Sequence, residues 1–198
     1  MMEITGHIAP ENLMTLEAYA RFRQAHKAEV IAHRRLRSVA LGEHLMVQFE
    51  SELTIRYQIQ EMLRAEKLFE PADIQHEIEA YAPLVPDGRN WKATMLIAYA
   101  DAQERQRALA QLMAIEDHMY VEVPGFARVY AAADEDWDRE NAHKTSAVHF
   151  LRFEFSAEVI EALCQGVSAQ LGCDHAHYDM AAVIPSASLR SLVTDFRG

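Results

Sequence analysis

The stretch AVHFLRFEF, residues 147–155, is the strongest strand pattern in this chain. Its odd-numbered positions carry an apolar series that includes one histidine: Ala147, His149, Leu151, Phe153 and Phe155. Its even-numbered positions are Val148, Phe150, Arg152 and Glu154. Because successive side chains of a strand point to opposite faces of a sheet, the alternation predicts a β-strand with one buried face.

Further strands are predicted on the N-terminal side of this stretch. Residues 91–99 alternate in the same way. Residues 119–123 and 126–132 bracket Pro124-Gly125 and predict a hairpin. A hairpin favours antiparallel pairing, since parallel strands need long crossover connections.

The N-terminal part of the chain is predicted to be mainly helical. Apolar residues three or four positions apart predict helices over residues 11–41 and 52–69, and a shorter one from Pro71. Gly42 is typical of a helix stop and Ser51 of an N-cap. Together the patterns predict an α+β fold, with a largely antiparallel sheet of five or six strands, helices packed on one face, and an N-terminal helical part.

No linker, repeat or low-complexity segment divides the 198 residues. We therefore expect one α+β domain over residues 1–198, with a mainly helical part at 1–85 and a sheet-rich part at 86–198. A chain of this length buries about 70% of its unfolded surface, so it needs no metal or disulfide merely to fold.

The charge balance argues against two classes of partner. The chain has 19 Lys and Arg against 30 Asp and Glu, a formal net charge of −11. Nonspecific nucleic-acid binding and anionic-membrane binding both need a basic face, so neither is expected. The densest acidic run, residues 134–140, is predicted to be a solvated loop or helix start, since it lacks the ligand spacing and central glycine of a calcium loop.

A basic segment, His-Arg-Arg-Leu-Arg at residues 33–37, lies near the end of the first predicted helix. Cations are favoured there by the helix dipole. The alternative is a docking patch for an acidic partner or a phosphate.

The cytoplasm is the expected location. The N-terminus lacks the order of a signal peptide, and no window approaches 18 uninterrupted apolar residues. The two cysteines, Cys164 and Cys173, cannot build a disulfide framework or a four-cysteine zinc site. Dinucleotide, P-loop and nucleophile-elbow motifs are absent from the sequence.

One histidine cluster predicts a metal site. The segment CDHAHYD, residues 173–179, places His175, His177 and Asp179 on one side if it is extended. His149 would join them if this segment pairs with the strand at 147–155. Such a set suits a divalent metal, namely iron, zinc or manganese, so the chain is alternatively predicted to be a metal-binding protein or a metalloenzyme. Alternatively, these histidines are hydrogen-bonded core or surface residues, or one of them forms an acid–base group with Asp174 or Tyr178.

Three longer stretches carry a family resemblance: YQIQEMLRAE at residues 57–66, PDGRN at 86–90 and KTSAVHFLRF at 144–153. With Asp174-His175, they make the chain resemble, over nearly all its length, an uncharacterised bacterial family known as a domain of unknown function. Its genes often lie beside a rubrerythrin-like protein and an iron–sulfur protein similar to heterodisulfide reductase subunits.

The resemblance implies an accessory or binding role in a cytoplasmic iron–sulfur redox or oxidative-stress system. Its expected partners are an iron–sulfur redox protein and a rubrerythrin-like protein. Any iron–sulfur cluster would belong to the partner, because the usual cluster takes four thiolates. The resemblance assigns no catalytic residue, so whether the chain is an enzyme stays open.

The motifs also contain a candidate polar site. Its members, apart from the histidines, are Gln58, Glu61, Arg64, Arg89, Arg152 and Tyr178. The alternative for the first three is a solvated or helix-contact face. A further functional hypothesis is a homo-oligomeric structural or regulatory protein, such as a homodimer that pairs through the long N-terminal helix.

Overall fold

The computed structural model describes residues 8–133 and 145–196. Within these ranges the helices are α1 (Leu16–Leu36), α2 (Glu52–Glu66), α3 (Pro71–Tyr81), α4 (Ala102–Gln111), α5 (Ala157–Cys164) and α6 (Ser186–Leu192). None of the helices in this part of the chain combines the length and apolar character needed to span a bilayer. The acidic run at 134–140 lies outside the described residues.

Nine strands, counted over the described residues, form two antiparallel sheets. The large sheet has the order β1 (Ser38–Leu41), β2 (Leu45–Phe49), β3 (Asn90–Ile97), β7 (Val148–Glu154) and β6 (Ala132–Ala133). The small sheet has the order β5 (Val129–Tyr130), β4 (Met119–Glu122), β8 (Gln170–His175) and β9 (Tyr178–Val183). The predicted α+β class and its antiparallel pairing are confirmed.

The strands divide over two sheets, whereas the sequence predicted a single one. The hairpin strand β4 pairs with β8, for example Met119 opposite Cys173. The strand β7 pairs instead with β3, where Trp91 lies opposite Phe153. Alternation along each strand defines its buried face but carries no information about which distant strand is its partner.

The strand predicted from residues 147–155 lies at the centre of the fold. Leu151 and Phe153 of β7 are at most 1% exposed, as is Trp91 on the neighbouring strand β3. They belong to a core that also contains residues of the small sheet and of helices α4, α5 and α6. The Trp91 ring nitrogen donates a hydrogen bond of 3.1 Å to the Leu192 carbonyl, so the large buried ring leaves no unsatisfied donor.

The other face of the large sheet is mixed in polarity and is covered by the N-terminal helices. Phe150 on this face packs against the cluster formed by Ile55, Ile59 and Leu84. The predicted N-cap of α2 is confirmed, because the Ser51 hydroxyl accepts a hydrogen bond of 3.4 Å from the Thr54 backbone N–H. The cap fixes where the sheet ends and the helix begins.

The helix predicted over residues 11–41 ends earlier than expected. It stops at Leu36, and residues 38–41 form strand β1. Gly42 is not a helix stop but the start of the turn into β2, with a φ of +70° that favours glycine. Val39 and Leu41 lie buried in the core between the sheets, so tertiary pairing overrides the local helical spacing.

Candidate ligand-binding cleft

A cleft of about 380 Å³ lies between the mixed face of the large sheet and the N-terminal helices. Its apolar lining comprises Met46, Ile55, Tyr81, Leu84, Leu96 and Phe150. Its polar lining comprises Arg34, Gln48, Glu50, Gln58 and Thr94. A mainly apolar wall with a few convergent polar groups, at this volume, is typical of a small-molecule site.

Glu50 is the buried carboxylate of the cleft. It follows β2 directly and precedes the N-cap of α2, and it is 6% exposed. Each carboxylate oxygen accepts a threonine hydroxyl: Oε1 from Thr94 at 2.7 Å and Oε2 from Thr54 at 2.6 Å. These hydrogen bonds fix the position of the carboxylate without neutralising its charge.

Arg34 is the cation of the cleft and lies in the last turns of α1. Its guanidinium carbon lies 5.9 Å from the centre of the Tyr57 ring. Its Nε is buried and has no hydrogen-bond partner among the described residues. A buried donor on a charged group is costly to leave unpaired, so a side-chain adjustment that brings this atom to a ligand acceptor in the cleft would be favourable.

The two glutamines of the cleft differ in availability. The Gln48 amide nitrogen donates 3.1 Å to the Phe49 carbonyl, and its oxygen accepts 2.8 Å from the Ser38 hydroxyl. The Gln58 amide forms no hydrogen bond within the described part of the chain. Gln58, a predicted site residue, therefore has free donors and an acceptor at the cleft.

His33 lies next to Arg34 at the edge of this region. Its Nε2 is 2.9 Å from the Ser51 hydroxyl, at the start of α2. Burial lowers the pKa of His33, and the positive charge of Arg37 lowers it further. The imidazole is therefore neutral at physiological pH, and Arg34 remains the cation of this segment that faces the cleft.

Glu61, another predicted site residue, connects two helices rather than facing the cleft. Arg23 of α1 binds it with two hydrogen bonds, at 2.7 Å and 2.6 Å. The Tyr19 hydroxyl donates a third, at 2.7 Å. The Arg23 hydrogen bonds, helped by that of Tyr19, lower the pKa of Glu61 to about 2, although burial opposes the shift. This arrangement fits the helix-contact alternative.

The other predicted polar residues are dispersed. Arg64 is exposed on α2, and Arg89 is exposed in the turn before β3. Arg152 lies on the same sheet face as Phe150 and pairs with Glu154. Tyr178 lies in the small sheet, where its hydroxyl donates to the Leu41 carbonyl. The structure therefore does not assemble the six residues into one site.

The three predicted metal ligands are not brought together as the prediction required. The pairing premise is wrong, because His149 lies on β7 in the large sheet whereas His175 ends β8 in the small sheet. Over residues 8–133 and 145–196, no group of three or more His, Cys, Asp or Glu side chains is arranged to hold a metal ion.

Each of these histidines has protein neighbours of its own. His149 Nε2 lies 2.9 Å from the Ser146 carbonyl oxygen, and its Nδ1 lies 3.5 Å from a Glu116 carboxylate oxygen. His175 Nε2 lies 3.1 Å from the Met113 carbonyl oxygen, and its Nδ1 accepts 3.2 Å from the His177 backbone N–H. These contacts of His149 and His175 fit the alternative prediction, in which the histidines are hydrogen-bonded residues of the fold rather than metal ligands.

Asp174 is the centre of a polar cluster on the small sheet. It accepts 2.6 Å from the Tyr130 hydroxyl and lies 3.0 Å from His118 Nδ1 and 3.4 Å from an Arg128 nitrogen. The hydrogen bond from Tyr130, and then that of His118, lower the pKa of Asp174. His118 was not among the predicted residues. The cluster ties β5 and the turn before β4 to β8.

A close packing contact lies beside this cluster. The Arg128 guanidinium stacks 4.0 Å from the centre of the Tyr120 ring. The same ring lies directly over Gly172, its partner across the β4–β8 pair. A Cβ at position 172 would lie 2.2 Å from the ring, so only glycine fits beneath it.

Sequence reasoning missed Arg34 and Glu50 as partners in one site. The basic segment at 33–37 did predict either a helix-dipole effect or an anion-docking patch, and Arg34 is the member that lines the cleft. Glu50 had only one local signal, its place between a strand and an N-cap. Its burial arises from the packing of the helices over the sheet, which the linear sequence does not display.

Comparisons with known proteins concern the whole chain. A family model described as a protein of unknown function, DUF3501, matches residues 7–196. The crystal structure of a novel protein of unknown function from Burkholderia pseudomallei K96243 is 50% identical to this chain. It superposes with a TM-score of 0.90, over 95% of this chain and 98% of that chain. No curated protein matches the chain.

Proposed function

The chain belongs to the DUF3501 family of proteins of unknown function, and we propose that it is a binding protein for a small organic anion held in the cleft by Arg34. The observation that carries this proposal is the Arg34 Nε, which is buried and lacks a hydrogen-bond partner among the described residues. A ligand oxygen at this atom would supply the missing acceptor.

The chemistry of Arg34 selects the anionic group of the ligand. A guanidinium presents its N–H donors in a planar fork that matches a carboxylate in a two-point contact. Gln58 adds an amide at the same cleft that forms no hydrogen bond with the described residues. The net charge of −11 repels anions at long range, so recognition has to come from these local contacts.

The apolar wall selects the body of the ligand. Leu96 and Met46 on the sheet are 39% and 45% exposed, which is high for large apolar side chains on a covered face. Phe150 and Leu84 continue the same wall. Covering this surface with an aliphatic or aromatic group would be favourable by about 25 cal/mol for each Å² of apolar area removed from water.

The test uses Arg34→Met and the matched control Arg35→Met. Arg35 is the next residue on α1 and is exposed outside the cleft lining. The probes are 4-methylpentanoate, hexanoate and 3-phenylpropanoate, measured by isothermal titration calorimetry. We expect one or more to bind the original chain and Arg35→Met equally, and to bind Arg34→Met at least about ten-fold more weakly. Equal binding to Arg34→Met, or no binding of any of these acids or of the matching amino acids leucine and 6-aminohexanoate, would overturn the proposal.

The accessory role in an iron–sulfur redox system stays a prediction, and its support is the family resemblance. The two redox partners share that support, whereas the cytoplasmic location stays a prediction from the sequence patterns alone. Affinity capture from cells that retain the chromosomal gene tests the partners. Recovery of no iron–sulfur or rubrerythrin-like protein, together with an unchanged oxidant response on deletion, would count against this role.

The homo-oligomeric hypothesis also stays a prediction. Light scattering over micromolar concentrations measures the mass directly. A constant monomer mass would remove the homodimer from consideration and would leave the cleft proposal unaffected.

A further inference from the structure

We infer that the ligand of the cleft is a zwitterion with an apolar body, whose ammonium group binds Glu50 while its carboxylate binds Arg34. This inference rests on the proposed function and adds a second recognition element to it. Its substrate class is that of apolar amino acids, including those with a longer separation between the two charges.

Glu50 carries a buried negative charge that no cation among the described residues neutralises. The carboxylate is buried, yet the ion pairs of the described residues do not include it. A buried anion is costly unless a cation and hydrogen bonds compensate for lost hydration. The two threonine hydroxyls supply hydrogen bonds only.

The buried cation Arg37 lies next to Glu50 but contacts its backbone carbonyl rather than its carboxylate. Its guanidinium donates 2.7 Å to the backbone carbonyl of Glu50 and 2.9 Å to the Ser191 carbonyl, and it pairs with Asp195. Its donors are therefore directed at other acceptors. The Glu50 side chain is left with acceptor capacity, because each carboxylate oxygen can accept more than the single hydroxyl hydrogen bond it has.

An organic ammonium group suits Glu50 better than a metal ion does. A metal ion would need several oxygen or nitrogen ligands, and no suitable group of acidic, histidine or cysteine side chains exists among the described residues. An ammonium group needs only a few acceptors. The apolar wall of Leu96 and Phe150 beside Glu50 suits an organic cation with a hydrocarbon body.

Two residues of opposite charge, Arg34 and Glu50, line the same cleft. Among the described residues, the Arg34 Nε has no acceptor and Glu50 has no ion-pair partner, and both side chains line the same cavity. A ligand with one charge would satisfy one of them and leave the other unbalanced. A zwitterion satisfies both, and its two charged groups would fix its orientation along the wall.

The experiment compares two triads of probes. The first is leucine, 4-methylpentanoate and 3-methylbutan-1-amine, which are the zwitterion, the acid without the amine and the amine without the acid. The second triad is 6-aminohexanoate, hexanoate and hexylamine, in which the charges lie further apart. Calorimetric titration of the original chain should give at least one zwitterion about ten-fold tighter than its own acid and its own amine.

Glu50→Gln and the control Glu43→Gln locate the effect. Glu43 is exposed in the turn between β1 and β2. In Glu50→Gln the zwitterion should bind about as weakly as its acid, and the acid should bind as in the original chain or better. Glu43→Gln should bind every probe as the original chain does. Circular dichroism verifies the fold of both variants, and the probe comparison on the original chain needs no variant.

The outcomes separate the two proposals. If each acid binds as tightly as its zwitterion and requires Arg34, the zwitterion inference is overturned and the anion-binding proposal stands. If neither acids nor zwitterions bind, or binding is independent of Arg34, both proposals fail. If the zwitterion binds tightly but Glu50→Gln leaves its affinity unchanged, the assignment of the ammonium to Glu50 is overturned.

Discussion

Glu50 lies just before α2 and Glu61 lies within it, and among the described residues the more deeply buried of these carboxylates has no ion-pair partner. Glu61 has a side chain 23% exposed and receives a two-point contact from Arg23 and a hydroxyl from Tyr19. Glu50 is 6% exposed, and among the described residues its carboxylate receives only threonine hydroxyls. A protein that needed both charges only for stability would be expected to pair the buried one first.

The corresponding arginines show the same contrast along α1. Arg23 is committed to Glu61, whereas Arg34, eleven residues or about 16 Å further along the helix, has a buried donor without an acceptor among the described residues. The comparison indicates that the contacts of Glu61 hold α1 against α2, whereas Arg34 and Glu50 are suited to binding a ligand. Three measurements of stability test that contrast.

The largest effect is expected from Glu61→Ala. Removing the carboxylate leaves Arg23 and Tyr19 without their acceptor, which should lower the free energy of unfolding by about 2 kcal/mol. Urea denaturation measures the change. The control is Glu66→Ala, at an exposed position of the same helix, which should change stability by less than about 0.5 kcal/mol. Equal effects in the two variants would show that Glu61 is not the fastening residue.

A smaller effect is expected from pH. The pKa of Glu61 in the fold is lowered to about 2, against 4.5 as the ordinary value. A depressed pKa contributes stability that is complete above 4.5 and is lost as the pH falls towards 2. The difference in stability between the original chain and Glu61→Ala should therefore stay constant from neutral pH down to about pH 5 and shrink below it. A difference that grows on acidification would contradict the ion-pair assignment.

The smallest effect is expected from Glu50→Gln without ligand. The variant removes an uncompensated buried charge while its amide oxygen still accepts a threonine hydroxyl. We expect the free energy of unfolding to be unchanged or to rise by up to about 1 kcal/mol. A fall of more than about 2 kcal/mol would make Glu50 a structural residue like Glu61 and would remove the contrast on which the cleft proposal depends.

The parts of the fold that could be predicted are those encoded by neighbouring residues. The alternation at 147–155 and the cap at Ser51 are local patterns, and both have the predicted structure. Gln58 was selected from a motif and does line the cleft. The pairing of β7 with β3 instead of β8 joins segments more than fifty residues apart along the chain, and nothing in either segment specifies it.

The charged residues of the cleft show why the site was harder to predict than the fold. Arg34 and Glu50 line one cleft because the chain turns back through the β1–β2 hairpin after α1. The sequence predicted that residues 38–41 continue the helix, which would direct Arg34 away from Glu50. Because the helix was predicted to extend to residue 41, the sequence did not indicate that Arg34 and Glu50 line the same cleft.

The contact between Tyr120 and Gly172 has a consequence for how relatives of this chain can diverge. A side chain at position 172 meets the tyrosine ring at once, whereas a smaller residue at position 120 leaves room above the glycine. The order of substitution therefore matters, because a smaller side chain has to replace Tyr120 before a larger residue can replace Gly172. We expect the two positions to vary together across homologues, with an aromatic residue at 120 inherited alongside glycine at 172.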